Sequence, residues 1–234
     1  MTTPNFNVKS FIRRRGIALA LIVLVMYLIA LTQGVISYTM TLGQLKGRLW
    51  HDVDLFTFAQ YSIRGILLLM MSALWLLDRK RALLRVIVVA NSLFTVVLLT
   101  NTGYLMAILV GLSSRAVSAL IADVVLMAVS NILIFSIWYW IIDPPGVIED
   151  QPDQQPWAFL FPQRGSVLPQ YESWIPRYGD YLFIAFTTSF AFSPTDALPL
   201  TRTAKMLMLM QSAISVVTLT GIAGSAINIL AGAG

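Results

Sequence analysis

The chain of 234 residues carries 57% hydrophobic and only 12% charged side chains, a balance too apolar for a soluble domain of this size. It has no cysteine and one histidine, His51, which excludes disulfides, iron–sulfur clusters, thiolate zinc and a histidine-built metal site, so neither metal nor cofactor is expected. The formal net charge of +5 does not imply a nucleic-acid partner, because the bases bunch at predicted helix ends (Arg13, Arg14, Arg15; Arg79, Lys80, Arg81, Arg85), as membrane topogenesis requires.

Four apolar runs follow in order: Ile17 to Thr39, Leu55 to Leu77, Val86 to Val110 and Val117 to Ile142. At about 1.5 Å per residue each can cross a hydrocarbon core of about 30 Å. The period-two alternation of a barrel strand is absent, so each is predicted to be a transmembrane helix. The first is too long and lacks a small-residue cleavage site for a signal peptide, and reads as an uncleaved anchor. Trp75, Trp138, Tyr139 and Trp140 sit at helix ends where amphipathic rings prefer the interface. The basic clusters at 9–15 and 79–85 place the N-terminus in the cytoplasm, so residues 1–142 read as a four-helix region of a multi-pass protein of the inner, cytoplasmic membrane.

From Asp143 to Tyr178 the composition changes. Seven of the ten prolines lie here, with five acids against two arginines, which predicts an extended aqueous loop. Trp157, Phe159, Phe161 and Trp174 make it apolar enough to pack on the membrane surface or cap the bundle. Residues 179–234 then hold a short aromatic helix (Tyr181 to Ser193), a proline-containing turn and a long helix from about Thr201 to Leu230. The predicted class is all-α, a polytopic transmembrane bundle of five long helices plus one short or re-entrant aromatic helix. Orientation counting favours a short full, or nearly full, crossing for the aromatic segment.

A charge at mid-bilayer costs roughly 2.5 to 3.5 kcal/mol on insertion scales, so such a group should face the bundle and find a partner. Arg64 and Asp123 are the two deep charges, and their similar depth from one face predicts an intramembrane pair, either fixing helix registry or serving as a charged gate. Asn91, Thr95 and Thr102 share a face of the third helix, and Asn131 lies about two turns from Asp123; interhelical hydrogen bonds are the expected use. On the last helix Thr218, Gly221, Ser225, Asn228 and Gly232 recur at spacings of three and four, a seam that lets another backbone approach.

The stretch FTTSFAFSPTD, with the aromatic helix before it and the apolar helix after it, resembles the pore module of the potassium channel superfamily. The pore-like positions are Thr187, Thr188, Ser189, Phe190, Ala191, Phe192, Ser193 and Asp196. The overall plan (four helices, a basic loop after the second, a proline-rich acidic loop, a DY-aromatic segment, a T-R turn, a final helix) resembles an uncharacterised family of small bacterial integral membrane proteins. The channel resemblance implies a re-entrant pore segment and about four copies around an axis. The two threonines are kept, but Ser189 to Phe192 replace the glycine-bearing filter, whose inward carbonyls need backbone conformations that residues with a Cβ adopt only at a cost. Phe190 and Phe192 suit an apolar plug or lipid-facing surface, with Thr188 and Ser189 bonding back to helix carbonyls. Two functions stay open: an ion channel or transport protein with an unidentified ion or small solute, or a non-conducting membrane scaffold or accessory subunit. An enzyme is not expected, since no Ser-His-Asp set or phosphate loop can be assembled. The partners expected are the lipid bilayer and further copies of the chain.

Overall fold

In hydrocarbon a backbone must satisfy its own N–H and C=O groups, and the apolar runs accordingly become helices. The computed structural model describes residues 16–44, 50–111, 117–143, 157–164, 166, 168–171, 174–191 and 197–232, without the side chains of 37–57, 59–60, 107–120, 191, 222 and 225–232. The α-helices among the described residues are α1 (Ile17–Gln44), α2 (Trp50–Leu76), α3 (Lys80–Gly111), α4 (Val117–Ile142), α5 (Tyr178–Ala191) and α6 (Arg202–Gly232). Five long helices and one short one were the expectation, and Ile17–Ile36, Lys80–Met106, Ile121–Ile142 and Arg202–Gly221 are each long and apolar enough to span a membrane. Arg13 to Arg15, Phe192, Ser193 and Asp196 lie outside the described residues.

The long helices alternate in direction. Between α2 and α3 the chain reverses within three residues: Asp78 takes a left-handed conformation (φ 57), the Arg79 N–H reaches back to the Leu74 carbonyl at 3.0 Å and the Asp78 N–H to that of Trp75 at 3.2 Å. This double bond is how a helix end satisfies its orphan carbonyls. The start of α1, this turn and the end of α4 thus share one end of the bundle, called here the basic end.

At the centre stands α4, in contact with α1, α3, α5 and α6. Its residues from Ser130 to Ile137 are all buried, as a helix surrounded by other helices must be. The main apolar core joins Met26 and Ile29 of α1, Phe94 of α3, Phe135 and Tyr139 of α4 and Tyr181 of α5. The outward stripes of α3 and α6 are aliphatic: Val89 and Val96, Met206 and Leu209 are all exposed.

The last third departs from a plain bundle. A two-stranded antiparallel ribbon pairs β1 (Phe159–Leu160) with β2 (Leu198–Pro199), Phe159 opposite Pro199 and Leu160 opposite Leu198. The Leu200 N–H adds a bond to the Ala158 carbonyl at 2.9 Å. Because β1 sits on Asp143 at the end of α4, the chain leaving α5 has returned to the basic end by β2. The chain thus leaves the basic end with α5 and is back at it by β2, a path that differs from the single crossing favoured for Tyr181 to Ser193. Fourteen helical residues reach only about 21 Å, short of a hydrocarbon core of about 30 Å.

Candidate functional site

Two polar centres organise this last third. The first lies where α4 ends. Asp143 is fully buried (0% exposed). Its Oδ1 accepts the backbone N–H groups of Ala158 at 2.7 Å and Phe159 at 3.1 Å. Its Oδ2 accepts the Tyr181 hydroxyl at 2.6 Å and Nη1 of Arg164 at 2.8 Å. The same Nη1 donates to the Phe159 carbonyl at 2.7 Å, and the guanidinium lies 5.1 Å from the Trp157 ring centre and 5.4 Å from that of Phe161. Phe159 contacts Tyr139 edge-on at 5.2 Å, and Phe161 contacts Tyr181 at 5.7 Å. A buried ion pair survives only when hydrogen bonds satisfy its remaining valences, and the carboxylate here has four donors. The described part of the proline-rich segment is therefore a cap clamped onto the bundle, one of the two placements expected of it.

The second centre lies about 13 Å further in, at Gln211 on α6. Its Nε2 donates to the Ala185 carbonyl at 2.7 Å and to Ser189 Oγ at 2.8 Å on α5, and its Oε1 accepts the Tyr139 hydroxyl of α4. Asn131 Nδ2 of α4 donates to the Gln211 carbonyl at 3.3 Å and to Ser215 Oγ at 2.9 Å. Ala185 and Ser189 lie about 10 and 16 Å along α5 from Tyr178, bracketing Gln211 at its own depth on α6, as expected if both helices start at the basic end and run in parallel. The start of α5 is fixed by Asp180, whose Oδ2 accepts the Arg177 N–H at 2.6 Å, and by Tyr178, whose hydroxyl shares a 2.7 Å hydrogen bond with Ser136 of α4.

The pore-like positions fall on α5 as far as Ala191. Thr187 Oγ1 bonds back to the Phe183 and Ile184 carbonyls at 3.0 and 3.1 Å, the role expected of Thr188 and Ser189. Ser189 instead receives Gln211, because its face turns towards α6, while Thr188 is buried. Phe183, Phe186 and Phe190 form an exposed ridge, with the last two rings 4.9 Å apart, so Phe190 points out of the bundle rather than into it.

Arg64 and Asp123 are both buried, but they do not form a hydrogen-bonded pair: neither Nη1 nor Nη2 of Arg64 has a hydrogen-bond partner. The physical reason is lateral rather than vertical. α2 packs mainly on α1 and α3, and α4 mainly on α1, α3, α5 and α6, so matched depth alone does not make the two groups bond. The guanidinium instead lies 5.6 Å from the Tyr61 ring centre, and the Tyr61 hydroxyl donates to the Gly34 carbonyl of α1 at 2.8 Å.

Thr218 and Gly221 of the small-residue seam are buried. A Cβ at Gly221 would meet Leu105 Cδ2 of α3 at 3.2 Å and Val124 Cγ2 of α4 at 3.4 Å, so here the seam faces the same chain. Ser225, Asn228 and Gly232 continue α6, with side chains outside the described set. Asn91 and Thr95 of α3 and Asn131 of α4 bond between helices as expected. Asn91 Nδ2 donates to the Ile134 carbonyl at 3.2 Å, and Trp138 Nε1 to Thr95 Oγ1 at 2.9 Å. Thr102 turns back to its own helix at Leu98.

Sequence reasoning missed Asp143, Arg164 and Gln211. Gln211 carried a usable signal, being the one amide in the apolar run MLMLMQSAIS. Arg164 had none, since no periodicity links it to Asp143 across a proline-rich segment. Among the described residues no three potential metal ligands cluster, and both polar centres bind protein to protein. No family model, no curated protein and no solved structure matches this chain.

Proposed function

We propose that this is a non-conducting, non-catalytic integral membrane protein, a scaffold or accessory subunit that uses a channel-like re-entrant module as architecture. The observation that carries the reading is the bond from Gln211 to Ala185 and Ser189: it holds the pore-like segment as a helix against its own chain. A potassium filter needs an extended row of inward carbonyls, whereas Thr187 to Ala191 are helical. The packing of Gly221 against Leu105 and Val124 supports the same reading, because a pore-lining helix keeps its close-packing face for the symmetry axis. In this proposal the basic end faces the cytoplasm. Purified protein in potassium-loaded liposomes should release potassium no faster than protein-free vesicles. Selective potassium flux well above that background would overturn the proposal.

One observation favours a transport reading instead. Arg64 Nη1 and Nη2, Asn91 Oδ1, Asn101 Nδ2 and Asn131 Oδ1 are buried without hydrogen-bond partners, and unsatisfied buried groups often mark unseen water or solute. Chloride or small-solute flux in the same liposomes, abolished by Arg64→Leu, would support it.

A further inference from the structure

We infer that the basic end binds anionic phospholipid, with a phosphate held at each of two pairs of bases, Arg81 with Arg85 on α3 and Arg202 with Lys205 on α6, and the acyl chains lying along the outward face of that helix. All four side chains are exposed. Among the described residues the ion pair is Arg164 with Asp143, and the nearby acid Asp180 is committed to capping α5. Asp78, at the α2–α3 turn, is exposed and makes no ion pair with these bases among the described residues.

The placement of the bases runs against the usual electrostatics of helices. A helix N-terminus carries partial positive charge and favours acids, yet neither α3 nor α6 has an acid in its first turn, and each carries bases there instead. Two like-signed sources of potential at the same end of the bundle create a field that an anion relieves. Free phosphate would answer the charge alone. What selects a lipid is what lies beneath each pair. Arg81 and Arg85 stand one turn apart and run straight into exposed Val89 and Val96, while Arg202 and Lys205 run into exposed Met206 and Leu209. Each stripe thus presents cations above and aliphatic surface below, the complement of a phosphodiester with its acyl chains.

The test uses the full chain, purified in a delipidating detergent and titrated with dioleoylphosphatidylglycerol or dioleoylphosphatidylcholine, with bound lipid counted by native mass spectrometry. The anionic lipid should bind at least about tenfold more tightly than the zwitterionic one, the preference should shrink in high salt, and glycerol phosphate should not compete. Arg81→Gln with Arg85→Gln, and separately Arg202→Gln with Lys205→Gln, should each remove about half of the preferential binding. Equal binding of the two lipids by the unaltered protein would overturn the inference, and this measurement needs no variant to fold. Undiminished preference with all four bases replaced would overturn it too, and competition by glycerol phosphate at matched concentration would show a free-anion site in its place.

Discussion

Asp143 ties more separate segments together than any other described side chain. One carboxylate receives the cap through two backbone N–H groups, the short helix α5 through Tyr181 and a cation through Arg164. Removing one member of such a pair leaves an uncompensated buried charge, which costs about 3–5 kcal/mol. Asp143→Ala should therefore destabilise the protein in mild detergent by about that amount, read by thermal unfolding of the tryptophan signal, to which Trp174 contributes beside Phe161. Asp143→Ala combined with Arg164→Met should cost less than Asp143→Ala alone; additive losses would mean that the two charges are not coupled. Arg64 is the opposite case, a buried cation with neither terminal nitrogen hydrogen-bonded. Arg64→Leu should leave stability unchanged or raise it by about 1–3 kcal/mol, and a loss larger than about 1 kcal/mol would reveal a partner that holds the guanidinium.

Gln211 and Gly221 divide the work of α6. Gln211 holds α5, and Gly221 admits α3 and α4. Gln211→Leu removes the donor to Ala185 and Ser189, so hydrogen exchange across residues 178–191 should rise by about tenfold or more, with α3 little changed; equal protection in the variant would show that the cap alone holds α5. At Gly221 even one added carbon meets Leu105 at 3.2 Å, so Gly221→Ala should be mildly destabilising, whereas Gly221→Leu, with a branched side chain at the same contact, should sharply lower the folded yield on size-exclusion chromatography. The long helices were legible in the sequence because length and apolarity determine them locally. Which end the chain takes after α5 was not, since two ribbon residues decide it, Leu198 and Pro199, and they carry no strand pattern. That Arg64 and Asp123 share no direct hydrogen bond has a related reason: rise per residue gives depth along a helix, while the order of helices around the bundle depends on packing that no single run reveals.

At the scale of the whole molecule the two ends are unlike. The basic end carries the helix reversal, the cap, the ribbon and the start of α5, while α1, α3 and α6 all finish at the other. The chain has no cysteine, so single cysteines report sidedness without background. Asp78→Cys and Leu168→Cys should react with an impermeant maleimide from the same side of sealed vesicles, and Gly111→Cys from the opposite one. Labelling of Leu168→Cys from the side opposite Asp78→Cys would break the placement of the cap. The ribbon also constrains how the chain can be made. β1 leaves the ribosome about forty residues before its partner β2, and Gln211 emerges later still. When α5 is synthesised, Ser136 and Asp143 are already there to receive Tyr178 and Tyr181, but the amide of Gln211 is not, so a chain arrested before Gln211 should leave residues 185–191 less protected than the finished one.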